Sequence, residues 1–175
     1  QIELRQRAAA KFPRANAMYF TRLGLEQATD AWIAAYKASR FSSHSPVADL
    51  CCGIGGDLLA LGEVGRTTGV DRDPIAACLA LANARSLGVD VTVQTRDIAE
   101  LSIGDFGAWH LDPDRRPAGH RTSSLEWSSP GLDAIERLLA VVPHSAVKLA
   151  PAADVLDHWQ ADCELEWISR DRECR

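Results

Sequence analysis

From residue 47 to residue 168 short apolar runs alternate with longer stretches of helical texture, and this alternation constrains the fold more than any other property of the chain. The runs 47–51, 67–70, 91–95, 108–111, 146–149 and 163–168 read as buried strands. Between them 57–63, 74–87, 131–141 and 153–160 read as helices, with Pro74 suited to a first helical turn. Parallel neighbours need crossover connections, so this order predicts a doubly wound, mostly parallel α/β sheet covered on both faces. Ahead of it, residues 4–40 repeat apolar residues at steps of three and four, interrupted by Pro13 and Gly24, and turn-rich 42–46 marks a boundary. The expected organisation is an N-terminal helical extension over 1–45 and an α/β domain over 46–175.

The first strand runs into Asp49-Leu50-Cys51-Cys52-Gly53-Ile54-Gly55-Gly56-Asp57. Glycines at such a point let the chain turn sharply and let a ligand approach backbone N–H groups at a helix N-terminus. A dinucleotide site asks for a third glycine at position 58, where Leu58 stands, which disfavours an NAD-dependent oxidoreductase. The second strand then ends at Asp71, eighteen residues beyond Gly53, close to the spacing of ~20 that sets a carboxylate on a ribose diol. The third ends at Arg96-Asp97-Ile98, with an acid placed to accept from an adenine amino group. Each acid alone also reads as a helix cap or a solvated turn residue. Three ligand-suited features at successive strand ends point to one site, because open α/β sheets bind ligands at the carboxyl ends of their strands.

These segments together resemble the class I S-adenosylmethionine-dependent methyltransferases, with the resemblance spanning residues 46 to about 168. Met18-Tyr19-Phe20-Thr21 ahead of Cys52-Gly53-Ile54-Gly55-Gly56-Asp57 is similar, within that superfamily, to the trimethylguanosine synthase group and its bacterial relatives with a THUMP-like domain. The resemblance implies a Rossmann-like sheet and S-adenosylmethionine as cofactor. It implies that Asp49, Gly53 and Gly55 shape the methionine end, that Asp71 takes the ribose, that Asp97 takes the adenine amino group and that Ile98 packs on the ring. Cys51, Cys52 and Arg72 complete the expected cofactor contacts, with Cys51 standing where many members have the first loop glycine. Family sheets finish with two antiparallel strands, so the chain is expected to lack the last strand and to be a piece of a longer protein; it begins at Gln1 with its single methionine at position 18.

The fourth strand runs into Asp112-Pro113-Asp114-Arg115-Arg116, where amino-group methyltransferases carry an acid or amide, two prolines and an aromatic. Asp112 and Pro113 match; Asp114 and Arg115 replace the second proline and the aromatic. By the resemblance Asp112, Pro113 and Arg115 are the catalytic candidates. Arg115, Arg116 and Arg121 can stack on a base and hold phosphate, which makes RNA the expected partner; the resemblance to amino-group methyltransferases implies one of its nitrogens as the acceptor. Alternatively the arginines pair with Asp112, Asp114 or other local acids, and the altered loop belongs to a cofactor-binding domain that acts as sensor or scaffold without catalysis. His110 reads as a satisfied strand-end histidine or as a base. Trp32, Tyr19 and Phe20 read as packing residues on helical ground or as a lid over the cofactor.

A net charge of −5 excludes a chain-wide polyanion-binding surface and leaves room for a local basic patch. Sixteen of the nineteen basic residues are arginines; the lysines are Lys11, Lys37 and Lys148. Five cysteines cannot all pair, and Cys51–Cys52 would be a strained bridge, so a reducing, cytoplasmic setting is expected. The cysteines and His110 show no paired metal-ligand spacing, and no metal is expected. With no run of ~18 apolar residues, no membrane partner is expected either.

Overall fold

A computed structural model describes residues 1–114, 129–153, 155–170 and the backbone of 173–174. The chain opens with three short helices, α1 (Ile2–Ala8), α2 (Arg22–Gln27) and α3 (Ala31–Ser39). Then follow β1 (Val47–Leu50), α4 (Gly56–Val64), β2 (Thr67–Asp71), α5 (Pro74–Leu87), β3 (Thr92–Thr95) and β4 (Ala108–Leu111). After them come α6 (Leu132–Val141), β5 (Ser145–Val147), α7 (Asp157–Asp162), β6 (Ser169–Arg170) and β7 (Glu173–Cys174).

Strands β1 to β5 form one parallel sheet in the order β3-β2-β1-β4-β5, a doubly wound α/β architecture. The order reverses at β1, so the crevice of such a sheet opens at the carboxyl ends of β1 and its neighbours. Every residue of β1 and β4 is buried, as central strands covered on both faces require. On one face Ala48, Leu50, Trp109 and Leu111 pack with Ile135 and Leu138 of α6 and Trp159 of α7. The indole N–H of Trp109 donates to Val142 O at 2.8 Å, which satisfies its polar edge inside the core. On the other face Val47 and Ala108 meet Leu61 of α4 together with Ala38 and Phe41. Residues 1–45 therefore share the core of the sheet. Phe12, Met18, Phe20 and Leu25 also close over Ile54, Leu59 and Ala84.

Local signals explain the helix ends. Asp30 caps α3 by accepting from the N–H groups of Trp32 and Ile33, and Asp73 caps α5 by accepting from Ile75 N. Gly88 ends α5 at a φ of 74°.

Three expectations are corrected. Residues 163–168 are not a strand: Glu164 and Glu166 point to Arg40 and Tyr36 of α3, so side-chain pairs hold this stretch where a sheet ladder was expected. The helix expected over 153–160 forms only at Asp157–Asp162. Trp32 is 67% exposed and Tyr19 40% exposed, so only Phe20 of the three aromatics is core, and Tyr19 and Phe20 lie outside any helix. The last two strands pair antiparallel with each other and not with the five-stranded sheet. Among the described residues no helix is long and apolar enough to cross a membrane, and no cluster of His, Cys, Asp and Glu could hold a metal ion.

Candidate active site

A cleft of about 970 Å³ lies at the carboxyl ends of β1, β2 and β4. Asp49, Cys51, Cys52 and Gly53 line it from β1 and its loop, Asp71 and Arg72 from β2, Asp112 and Pro113 from β4. The far wall is Thr21 and residues 23–30 with Ile33, so the N-terminal segment is part of the cleft.

The loop after β1 turns through left-handed residues: Cys51 at a φ of 60°, Gly53 at 54° and Gly55 at 95°. For cysteine this conformation costs on the order of 1–2 kcal/mol, which explains why glycine is the easier residue at position 51. Much of the loop's hydrogen bonding is internal. Cys52 N donates to Val70 O, Gly55 N to Cys52 O and Gly53 N to Asp71 Oδ2 at 2.8 Å. The other oxygen of Asp71 accepts from Asp73 N at 2.9 Å. Asp71 thus braces the glycine loop, and a carboxylate with about four acceptor positions keeps two for a ligand. Asn83 of α5, fully buried, donates to Ile54 O and Tyr19 O and accepts from Tyr19 N, which ties the loop to the N-terminal segment.

Beneath the loop lies a polar array that begins at two facing strand residues. Asp49 and His110 are register partners across β1 and β4, and Asp49 Oδ1 lies 2.7 Å from His110 Nδ1. His110 Nε2 is 3.1 Å from Lys37 Nζ. An ammonium only donates, so Nε2 accepts and the ring proton sits on Nδ1, facing Asp49. Lys37 is also 2.6 Å from Asp57 Oδ1, an ion pair off the hydrogen-bond line, while Asp57 Oδ2 accepts from Thr29 at 2.8 Å. Burial alone would raise the Asp57 carboxyl, but the Lys37 ammonium beside it and the hydrogen bond from Thr29 hold it down to about 2. For Asp49 burial wins over the His110 hydrogen bond and its pKa is raised; its Oδ2 is buried without a hydrogen-bond partner among the described residues. Burial likewise raises the thiols of Cys51 and Cys52, which marks them as unreactive lining.

At the end of β4, Asp112 Oδ2 accepts from Lys148 Nζ at 2.6 Å. Asp114 pairs with Ser129 in an antiparallel bridge. Arg115, Arg116 and Arg121 lie outside the described residues. Asp97 and Ile98 stand apart from the cleft: Asp97 Oδ1 caps the short turn Ile98–Glu100, and Ile98 is core that lines a second cleft of about 250 Å³ against α6. Gly55 faces α5, with Ala80 Cα 3.4 Å from where its Cβ would be.

Sequence reasoning missed Thr29, Lys37, Asn83 and Lys148. One signal for the lysines was available. In a chain with sixteen arginines, all three lysines are half-buried, and Lys11 donates to Leu25 O, Glu26 O and Ala28 O at the end of α2.

No protein-family profile matches the chain, and no curated protein does. A solved structure named "putative methyltransferase" from Porphyromonas gingivalis W83 matches at a TM-score of 0.72 and 26% identity, over 92% of this chain and 42% of that one. The architecture is the Rossmann-like methyltransferase fold. The match leaves out 8% of the chain, far less than residues 1–45, so it takes in most of the N-terminal segment. The chain spans somewhat under half the length of that protein. Lesser likenesses are to the tRNA (uracil-54, C5)-methyltransferase of Pyrococcus abyssi in complex with S-adenosyl-L-homocysteine (TM-score 0.45, 22% identity, 56% of this chain and 24% of that one). An RNA methyltransferase from Salinibacter ruber, also with S-adenosyl-L-homocysteine, gives 0.41 and 23%, over 47% and 56%.

Proposed function

We propose that the chain is the cofactor-binding part of an S-adenosylmethionine-dependent methyltransferase whose acceptor is a nitrogen in RNA. The observation that carries this reading is the cleft at the carboxyl ends of β1, β2 and β4, with Asp71 and Asp112 on either side of β1 in a methyltransferase fold. Its volume is within the ~300–1,000 Å³ of small-molecule sites. The residues present fit the cofactor. Asp71 keeps acceptor capacity for a ribose diol, and among the described residues the buried Oδ2 of Asp49 has no hydrogen-bond partner, where a cationic group would be welcome. Among the described residues that line the cleft acids outnumber bases, eight against five, which suits a sulfonium cation.

Bound S-adenosylmethionine supplies an already activated methyl group. What remains for the protein is to hold a nitrogen lone pair in line with it. Asp112 has Oδ2 engaged by Lys148, so Oδ1 accepts the N–H of the acceptor and takes the proton that the nitrogen loses. Pro113, buried behind it, stiffens the turn. The acid-rich cleft does not attract phosphate, so RNA contacts fall to Arg115, Arg116 and Arg121. Met18-Tyr19-Phe20-Thr21 and the Cys-Gly-Ile-Gly-Gly-Asp loop support a place beside the trimethylguanosine synthase and THUMP-like group.

The test is calorimetry with S-adenosylmethionine against NAD, followed by transfer of labelled methyl to total RNA. Asp112→Ala should cut transfer at least a hundredfold and leave cofactor affinity within about threefold, the pattern of an interaction used in the transition state. Equal transfer by the variant removes Asp112 from the reaction, and preference for NAD overturns the whole reading.

A further inference from the structure

Lys148 follows β5, and its backbone N–H extends the sheet by donating to Leu111 O at 2.9 Å. Its ammonium lies 2.6 Å from Asp112 Oδ2 and 3.5 Å from Thr29 Oγ1. Thr29 is buried and donates to Asp57, which pairs with Lys37, which meets His110, which meets Asp49. Seven side chains therefore form one polar path from beneath the glycine loop to the carboxylate after β4. Two of them, Thr29 and Lys37, come from the N-terminal segment.

We infer that Lys148 and Thr29 are positioning residues for the acceptor side of the site: Lys148 fixes Asp112 through one oxygen, and Thr29 seats Lys148. This rests on the reading that Asp112 receives the methyl acceptor. A carboxylate 21% exposed at a strand end has several rotamers open to it, and a short ion pair to a lysine only 17% exposed selects one. The residue type follows from the same geometry. An ammonium can hold one carboxylate oxygen and turn another donor to Thr29, whereas a guanidinium tends to take both oxygens in a fork, so that the acceptor would meet an oxygen already engaged. That accounts for a lysine here in a chain whose basic residues are mostly arginines.

Lysine-selective isotope labelling tests the link directly, because the chain gives only three side-chain signals. Asp112→Asn should move the Lys148 signal and leave Lys11 in place; Thr29→Val should move Lys37 and Lys148 together. In methyl transfer to total RNA, Lys148→Met should lower kcat at least tenfold, with cofactor affinity and half-saturating RNA within twofold of wild type. Lys148→Arg should keep the wild-type Tm and still lose at least tenfold in kcat, which a purely structural ion pair would not produce. A Lys148 signal that ignores Asp112→Asn, or full activity in Lys148→Arg, overturns the inference. A wild type that binds cofactor and methylates no RNA overturns the RNA reading instead, and the lysine spectra still decide whether Lys148 holds Asp112.

Discussion

The backbone of Thr29 fills the space that a side chain on Gly56 would need: a Cβ there would stand 2.9 Å from the Thr29 carbonyl oxygen and 3.1 Å from its nitrogen. Neither atom belongs to a side chain that can swing away. Gly56→Ala should therefore lift the N-terminal segment off α4 and destabilise the protein by about 1–3 kcal/mol, as overpacking does. Urea unfolding measures this, and an unchanged midpoint would show that the segment gives way freely.

Asp71 holds the glycine loop from outside through Gly53 N and would meet the ribose with its remaining lone pairs. Asp71→Ala should weaken S-adenosylmethionine binding by roughly 1–3 kcal/mol. Calorimetry is the readout, and wild-type affinity would remove Asp71 from the cofactor contacts.

Asp57 and Asp49 pull the pH dependence of stability in opposite directions. The Asp57 carboxyl is held down to about 2 when folded, against ~3.9 unfolded, so its contribution is present above pH 4 and is lost as the pH falls toward 2. Asp49 is raised, so its contribution is present below its unfolded pKa and is lost as the pH rises through the folded one. Asp49→Asn keeps an acceptor for His110 and removes a buried charge. Its Tm at pH 7 should equal or exceed that of wild type, and the difference should shrink on acidification. A clear fall in Tm at pH 7 would mean that the charge itself stabilises the fold.

Asn83 makes three hydrogen bonds with no access to water. Asn83→Ala should cost about 2–4 kcal/mol, since the Ile54 carbonyl and the Tyr19 backbone lose their buried partners. Chemical denaturation reads the loss; a cost below about 1 kcal/mol would show that these groups find replacements.

The sheet was legible because its signals are local. Expected strands at 67–70, 91–95 and 108–111 and helices at 57–63 and 74–87 agree with the structure to within a residue at almost every end. Asp71 and Asp112 were legible as strand-end residues for the same reason. The polar array was not, because its members meet only through tertiary packing: Thr29 and Asp57 lie 28 positions apart, Lys37 and His110 lie 73 apart. Trp32 misled by its spacing. It shares a helix with buried Ile33 and Ala34, but its own face of α3 turns outward, where Arg170 covers the ring at 5.8 Å. The 163–168 run alternates as an edge strand would, yet its acids pair with Arg40 and the run joins no ladder among the described residues.

The placement of the lysines has a practical side. Lys11 lies against carbonyls at the end of α2, Lys37 beneath the loop and Lys148 beside Asp112, and none of them stands out from the surface. Reagents that acylate primary amines, used to attach dyes, biotin or solid supports, will find no outward lysine and will react slowly with these three. Where they do react, the neutralised amine loses its carbonyl or carboxylate partners, so each label introduced is also a lesion in the cleft or its wall. A handle on an exposed thiol such as Cys78 or Cys163 avoids that damage.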